Sequence, residues 1–182
     1  MIYLDMDGVL ADFDAWLLAR GIVNKTNFIH KPREEWTPEE HELDKKVVAC
    51  MEEPNFFYSL PVMHGAVDLW NKANELDQTC ILTARPKDAS SALRVREEKL
   101  AWCHENLPDF DSHRFFCVTR HQKQDFAVTF NRYGEWGPET SHTLVDDLIV
   151  NCEEWGRAGG KAILYRNAPE AIKELENLYW AL

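Results

Sequence analysis

Asp5 and Asp7 stand two residues apart in the run Asp5-Met6-Asp7-Gly8-Val9-Leu10, directly after the apolar, β-prone Ile2-Tyr3-Leu4. Two carboxylates leaving a strand end at this spacing can divide a two-step phosphoryl transfer between them. One attacks phosphorus to give an aspartyl-phosphate, and the other protonates the leaving oxygen and then activates water. Gly8 lets the backbone turn and aim N–H groups at an anion. An acidic pair alone is a weak signal, because such pairs are common on solvated loops. Here apolar residues flank it on both sides, a costly place for two unused charges.

Three further segments carry parts that such chemistry needs. Asp146-Asp147 ends the apolar run Thr143-Leu144-Val145, so Asp146 can join Asp5 and Asp7 around a hard cation such as Mg²⁺, which takes oxygen ligands and keeps room for phosphate. Asp147 supports it, or alternatively caps the helix that follows. Ile81-Leu82-Thr83-Ala84-Arg85-Pro86-Lys87 runs from a strand into polar residues, where the Thr83 hydroxyl, the Ala84 backbone, Arg85 and Lys87 can meet phosphate oxygens; Thr83 is equally a strand-end turn residue. Val118-Thr119-Arg120-His121-Gln122-Lys123 leaves another strand, and Lys123 can neutralise the clustered carboxylates and the transferring group, unless it is an ordinary solvated lysine.

These segments require an element order that brings strand ends together. Apolar, β-rich runs at Ile2 to Leu4, Cys80 to Leu82, Phe115 to Val118, Thr143 to Val145 and Ala162 to Tyr165 alternate with helical patterns. The helices are expected at Ala66 to Leu76 (apolar face Val67, Trp70, Ala73, Leu76), Ala89 to Leu107 (Leu93, Leu100, Trp102), Asn151 to Arg157 and Pro169 to Trp180. The expected fold is α/β, a Rossmann-like open parallel sheet of about five strands, with ligands at the carboxyl ends of the strands. Residues 14–61 break the rhythm, with a helix from Ala15 to Arg20, a loop around Pro32 to Pro38 and a helix near Glu39 to Met51 opened by Thr37-Pro38-Glu39-Glu40. This stretch reads as a small helical cap inserted after strand one, leaving 1–13 and 62–182 as the core. Asn131 to His142 reads as a surface excursion without chemistry.

With 182 residues, 45% of them apolar, the chain can bury one domain's core. A formal charge of −11 repels duplex nucleic acid and anionic membranes, so the cation the chemistry needs must be local. Cys50, Cys80, Cys103, Cys117 and Cys152 lack ligand spacing and read as reduced core thiols of a cytoplasmic protein. No leader and no membrane span is expected.

Together these segments resemble the haloacid dehalogenase (HAD) superfamily of phosphatases, whose motifs in order are Asp-x-Asp, Ser/Thr, Lys and an acidic pair, each after a strand. Here they fall on Asp5/Asp7, Thr83, Lys123 and Asp146/Asp147, and residues 14–61 lie where that superfamily carries its type I cap. A narrower resemblance is to the 5′(3′)-deoxyribonucleotidases, through Asp5 to Phe13, Asn55-Phe56-Phe57 with Leu60, Gly65-Ala66, Lys99-Leu100-Ala101-Trp102 and Thr119-Arg120. It implies that Phe13, Trp36 and Phe56 line a base pocket, with Arg120 and Lys87 near the substrate. Two departures stand out: Thr83-Ala84 where that family has Thr-Ser, and the length of Asn131 to His142. Core packing is the alternative for the aromatics, preferred for Trp16 and Phe57.

The expectation is a Mg²⁺-dependent phosphomonoesterase in which Asp5 attacks and Asp7 serves as acid and base, with the ion on Asp5, the Asp7 carbonyl and Asp146. The expected substrate is a deoxynucleoside monophosphate, with a second copy of the chain admitted as partner in a homodimer. The alternatives are a phosphatase or phosphotransferase for a sugar phosphate or other small monoester, and a non-catalytic ligand-binding protein on the same scaffold.

Overall fold

The structure is a computed structural model, and it describes residues 1–24, 35–87, 89–130 and 138–180. Its centre is a five-stranded, all-parallel sheet in the order β3-β2-β1-β6-β7, formed by β1 (Ile2–Leu4), β2 (Thr79–Ala84), β3 (Phe115–Val118), β6 (Thr143–Asp146) and β7 (Lys161–Leu164). Every residue of β1 is buried, as a continuous apolar run in a central parallel strand must be. The chain fills one side of β1 with β2 and β3, then crosses to the other with β6 and β7. The carboxyl ends of β1 and β6 therefore flank the point where strand order reverses, the usual ligand crevice of such sheets.

The helices are α1 (Phe13–Ala19), α2 (Pro38–Met51), α3 (Ala66–Leu76), α4 (Ala89–Asn106), α5 (Ile149–Arg157) and α6 (Ala168–Trp180). Asp12 caps α1 by accepting from the Ala15 N–H, and Thr37 with Glu40 forms a reciprocal capping box at α2. On α3 the buried face is Ala66, Leu69, Trp70 and Ala73, a rotation from the expected one that leaves Val67 and Leu76 half-buried. The departure on α4 is larger. Leu93 lies 61% exposed, and the stripe facing the core is Ala92, Val95, Glu98, Lys99, Trp102 and Cys103, with two charged residues in its middle.

A pair of antiparallel strands, β4 (Val128–Phe130) and β5 (Pro138–Ser141), forms a ribbon beside the main sheet. The stretch from Asn131 to His142 is thus not wholly irregular: Pro138–Ser141 pairs antiparallel with Val128–Phe130, while 131–137 lie outside the described residues. Part of the loop expected around Pro32 to Pro38 also lies outside them.

The chain leaves and re-enters the core side by side. Asp12 N–H donates to Pro61 C=O at 2.7 Å, and Met63 N–H donates to Leu10 C=O at 2.8 Å. Between these points Trp16, Leu17, Val47, Cys50, Phe56 and Phe57 join the same apolar cluster as Leu4, Trp70 and Trp102. α4 ties this segment down: Glu98 accepts the N–H groups of Asn55 and Phe57, Arg94 pairs with Glu98 and donates to the Met51 and Glu53 carbonyls, and the Trp102 indole donates to Leu60 C=O.

Candidate active site

Asp5 follows the last residue of β1, and its position is fixed on three sides. Its N–H donates to Val145 C=O at 2.9 Å, continuing the β1–β6 ladder. Its Oδ1 accepts the Met6 N–H at 2.7 Å, and its Oδ2 meets Lys123 Nζ at 2.8 Å. The backbone then turns at Gly8, with φ +77°, and the Met6 carbonyl collects the N–H groups of Val9, Leu10 and Ala11.

Lys123 lies in a 3-10 turn, Arg120–Phe126, placed after β3. It is no solvated lysine: 2% exposed, it bridges Asp5 and Asp146, the latter at 2.7 Å. Burial opposes its charge, but Asp5 and Asp146 outweigh that and hold it above the usual lysine range. Asp146, at the end of β6, is fully buried. Its oxygens accept from Lys123, from the Leu148 N–H at 3.0 Å, and from both sides by the Asn151 amide at 2.9 and 3.0 Å. Burial first, then Asp5, raises its carboxyl to about 6.

Asp147 does not cap α5; the residue before that helix is Leu148. Its carboxylate instead lies over Gly8, so close that a Cβ there would come within 2.4 Å of Oδ2. Asp5, Asp146 and Asp147 each offer an oxygen within 4.8 Å of the others. Burial, then Asp5 and Asp146, pushes Asp147 up to about 8. Three mutually repelling carboxylates with oxygen donors alone suit a hard divalent cation, which would offset their repulsion. The third side chain of this cluster is therefore Asp147. The Asp7 side chain turns elsewhere.

Asp7 turns to Lys99 of α4. Lys99 Nζ sits 2.5 Å from Asp7 Oδ2, 2.8 Å from Thr83 Oγ1 and 2.8 Å from Ala84 C=O. Asp7 Oδ1, also buried, has no hydrogen-bond partner among the described residues. Burial raises the Asp7 carboxyl, and Lys99 opposes the rise. Thr83 is fully buried behind this pair and reaches Asp7 by way of the Lys99 amine. Neither Lys99 nor Asn151 was expected as a site residue, although Lys99 stands in one of the segments that carry the family resemblance. A signal existed for the first: a lysine in the stripe Ala92-Val95-Lys99-Trp102 occupies a core-facing position with no neighbouring acid in the same stripe but Glu98.

The structure thus gathers Asp5, Asp7, Thr83, Lys123, Asp146 and Asp147 at one end of the sheet. The expected substrate contacts are placed differently. Arg85 donates to the Cys117 and Pro86 carbonyls, and Arg120 is held on α5 by Glu154 at 3.2 Å and Asn151 at 3.3 Å. Lys87 is exposed beyond β2, and Trp36 packs on His41 with ring centroids 5.4 Å apart. Phe56 is 1% exposed and enclosed by Phe13, Trp16 and Phe57, while Phe13 is half-buried at the start of α1.

No family model matches the chain. It is 32% identical over 125 residues to the human (Homo sapiens) cytosolic-type 5′(3′)-deoxyribonucleotidase, covering 60% of this chain and 59% of that protein. The chain therefore spans about three fifths of the length of the curated relative it matches. Among solved structures, the HAD-hydrolase YfnB from Bacillus subtilis, determined bound to magnesium, shares 13% identity with a TM-score of 0.50, covering 98% of this chain and 97% of that one. A hydrolase from Pseudomonas syringae aligns at 18% identity and a TM-score of 0.43, over 96% and 89% of the two chains. The chain thus resembles the 5′(3′)-deoxyribonucleotidases in sequence and shares the α/β fold of a HAD-hydrolase.

Proposed function

We propose that this chain is a cation-dependent phosphomonoesterase working through an aspartyl-phosphate on Asp5, with deoxynucleoside monophosphates as substrates. The observation that carries the reading is the contrast between two carboxylates two residues apart. Asp5 is pinned at a strand end beside Lys123 and two further acids, whereas Asp7 points away from them with one oxygen unpartnered among the described residues. Environments that separate two carboxylates in this way assign one as nucleophile and the other as acid.

Asp146 and Asp147 with Asp5 would hold Mg²⁺, joined by the Asp7 backbone carbonyl; when bound, the ion offsets charge on the phosphoryl oxygens. An Asp5 oxygen attacks phosphorus while the bond to the leaving alkoxide breaks, and the proton that the alkoxide needs comes from Asp7. Asp7, now ionised, takes a proton from water as that oxygen attacks phosphorus. The Asp5–phosphorus bond breaks, releasing phosphate and restoring both carboxyls. Lys123 offsets charge on Asp5 throughout. Residues 14–61 act as a cap over this end of the sheet, a role supported by their side-by-side entry and exit at Asp12 and Pro61.

The nucleotide preference is supported by the identity shared with the human enzyme and by the half-buried ring of Phe13, next to the cap segment; Phe56 is enclosed behind it and offers a base no surface. We place the enzyme in the cytoplasm; among the described residues no helix is long and apolar enough to cross a membrane, and all five cysteines are free. The test is phosphate release from 5′- and 3′-monophosphates and sugar phosphates, with and without Mg²⁺, alongside Asp5→Asn. Mg²⁺-dependent release favouring deoxynucleotides, lost in the variant, is the expected result. Release from sugar phosphates alone overturns the substrate class, and no release from any monoester overturns the enzyme.

A further inference from the structure

We infer that Lys99 is a positioning residue that aims Asp7 at the leaving oxygen. This rests on the phosphomonoesterase reading above. An ammonium has three donors and no acceptor. Those of Lys99 go to Asp7 Oδ2, Thr83 Oγ1 and Ala84 C=O, while the Phe57 ring lies 4.6 Å from the same nitrogen. Two of the three acceptors belong to the end of β2, a rigid element of the sheet, and they fix where Lys99 can point. Its remaining donor then fixes Asp7.

The consequence falls on which Asp7 oxygen is free. Oδ2 is committed to the amine, so Oδ1, buried and without a partner among the described residues, is left to carry the transferred proton. Without Lys99 the carboxyl could rotate about its last bond and lower the fraction of time in which a protonated oxygen faces the substrate. A lysine with 0% exposure is otherwise hard to account for, since α4 is already fastened by Glu98, Arg94 and Trp102. The resulting chain of contacts runs from β2 through α4 to the loop after β1, so that three separate segments decide the orientation of one carboxyl.

The experiment compares kcat/KM for an alkyl phosphate monoester with that for p-nitrophenyl phosphate, whose phenolate departs without a proton, in wild type, Lys99→Met, Asp7→Asn and the double variant. Because kcat/KM reports the steps up to departure of the first product, the ratio isolates the proton given to the leaving group. Lys99→Met is expected to lose about 100-fold on the alkyl ester and less than about 10-fold on the nitrophenyl ester, the range of a lost general acid. Adding it to Asp7→Asn is expected to cost less than about 3-fold more, because it acts through Asp7. Equal losses on both esters, or full additivity with Asp7→Asn, overturn the inference and leave Lys99 as a packing residue. Circular dichroism and thermal melting check the fold; should Lys99→Met not fold, Lys99→Gln decides by the same comparison. Wild type inactive on both esters overturns the phosphomonoesterase reading itself, an outcome separate from either.

Discussion

At the scale of single residues, the candidate site is a problem in keeping like charges apart. Asp5, Asp146 and Asp147 share a space that Lys123 only partly neutralises, and the backbone of Gly8 supplies the room in which Asp147 sits. Gly8→Ala is therefore expected to act twice. Its φ of +77° costs a side-chain residue about 1–2 kcal/mol, and the new methyl would drive the Asp147 carboxylate out of the cluster. The expected outcome is a loss of at least about tenfold in Mg²⁺ affinity, the scale of a disturbed supporting ligand, with a fold that circular dichroism finds unchanged. Unchanged affinity by calorimetric titration would show that Asp147 has no part in holding a cation. The Asp-x-Asp motif announced its own position, because an acidic pair against apolar residues is unusual in sequence. The pairing of these carboxylates was not legible, because nothing in the spacing of Asp5, Asp7 and Asp147 says which side chain turns towards which lysine.

At the scale of elements, α4 decides most. The apolar periodicity of Ala89 to Leu107 suggested Leu93 as a core residue, yet the helix turns Glu98 and Lys99 inwards and leaves Leu93 outside. Tertiary partners explain the reversal: Glu98 satisfies two backbone N–H groups of the segment after α2, and Lys99 satisfies Asp7 and β2. Residue charge alone scores both as surface residues, although Lys99 falls in the apolar stripe. Glu98→Ala would strand those N–H groups and unseat Arg94, at about 1–3 kcal/mol for each buried donor left unpaired. A thermal midpoint lowered by several degrees is the expected outcome; an unchanged midpoint would mean that water replaces the carboxylate without cost.

At the scale of the whole molecule, the site is held at a price in stability that should be visible against pH. Asp146 and Asp147 are raised to about 6 and about 8, well above the ordinary aspartate value, so the folded chain binds protons that the unfolded chain has already released. Stability from such groups is present below the ordinary aspartate pKa and is lost as pH rises through the folded values. Chelator-treated protein is therefore expected to melt at a lower temperature at pH 8 than at pH 6. Mg²⁺ is expected to raise the midpoint more at pH 8, where fewer protons have to leave first. A chelated midpoint that climbs from pH 6 to pH 8 would contradict the close approach of these carboxylates.

The order of the five strands of the main sheet and of the helices, the placing of four polar motifs at strand ends, and the break in rhythm between Asp14 and Pro61 were written in the chain, because each depends on local pattern: period, caps and turn residues; the β4–β5 ribbon was not. The parallel sheet in the order β3-β2-β1-β6-β7 then brings those ends together as an open α/β sheet must. What the sequence could not decide was pairing across that sheet. Lys123 chose Asp5 and Asp146, Lys99 chose Asp7, Asp147 moved over Gly8, and Arg120 turned to Glu154. Those choices depend on distances between residues far apart in the chain, and only the packed structure sets them.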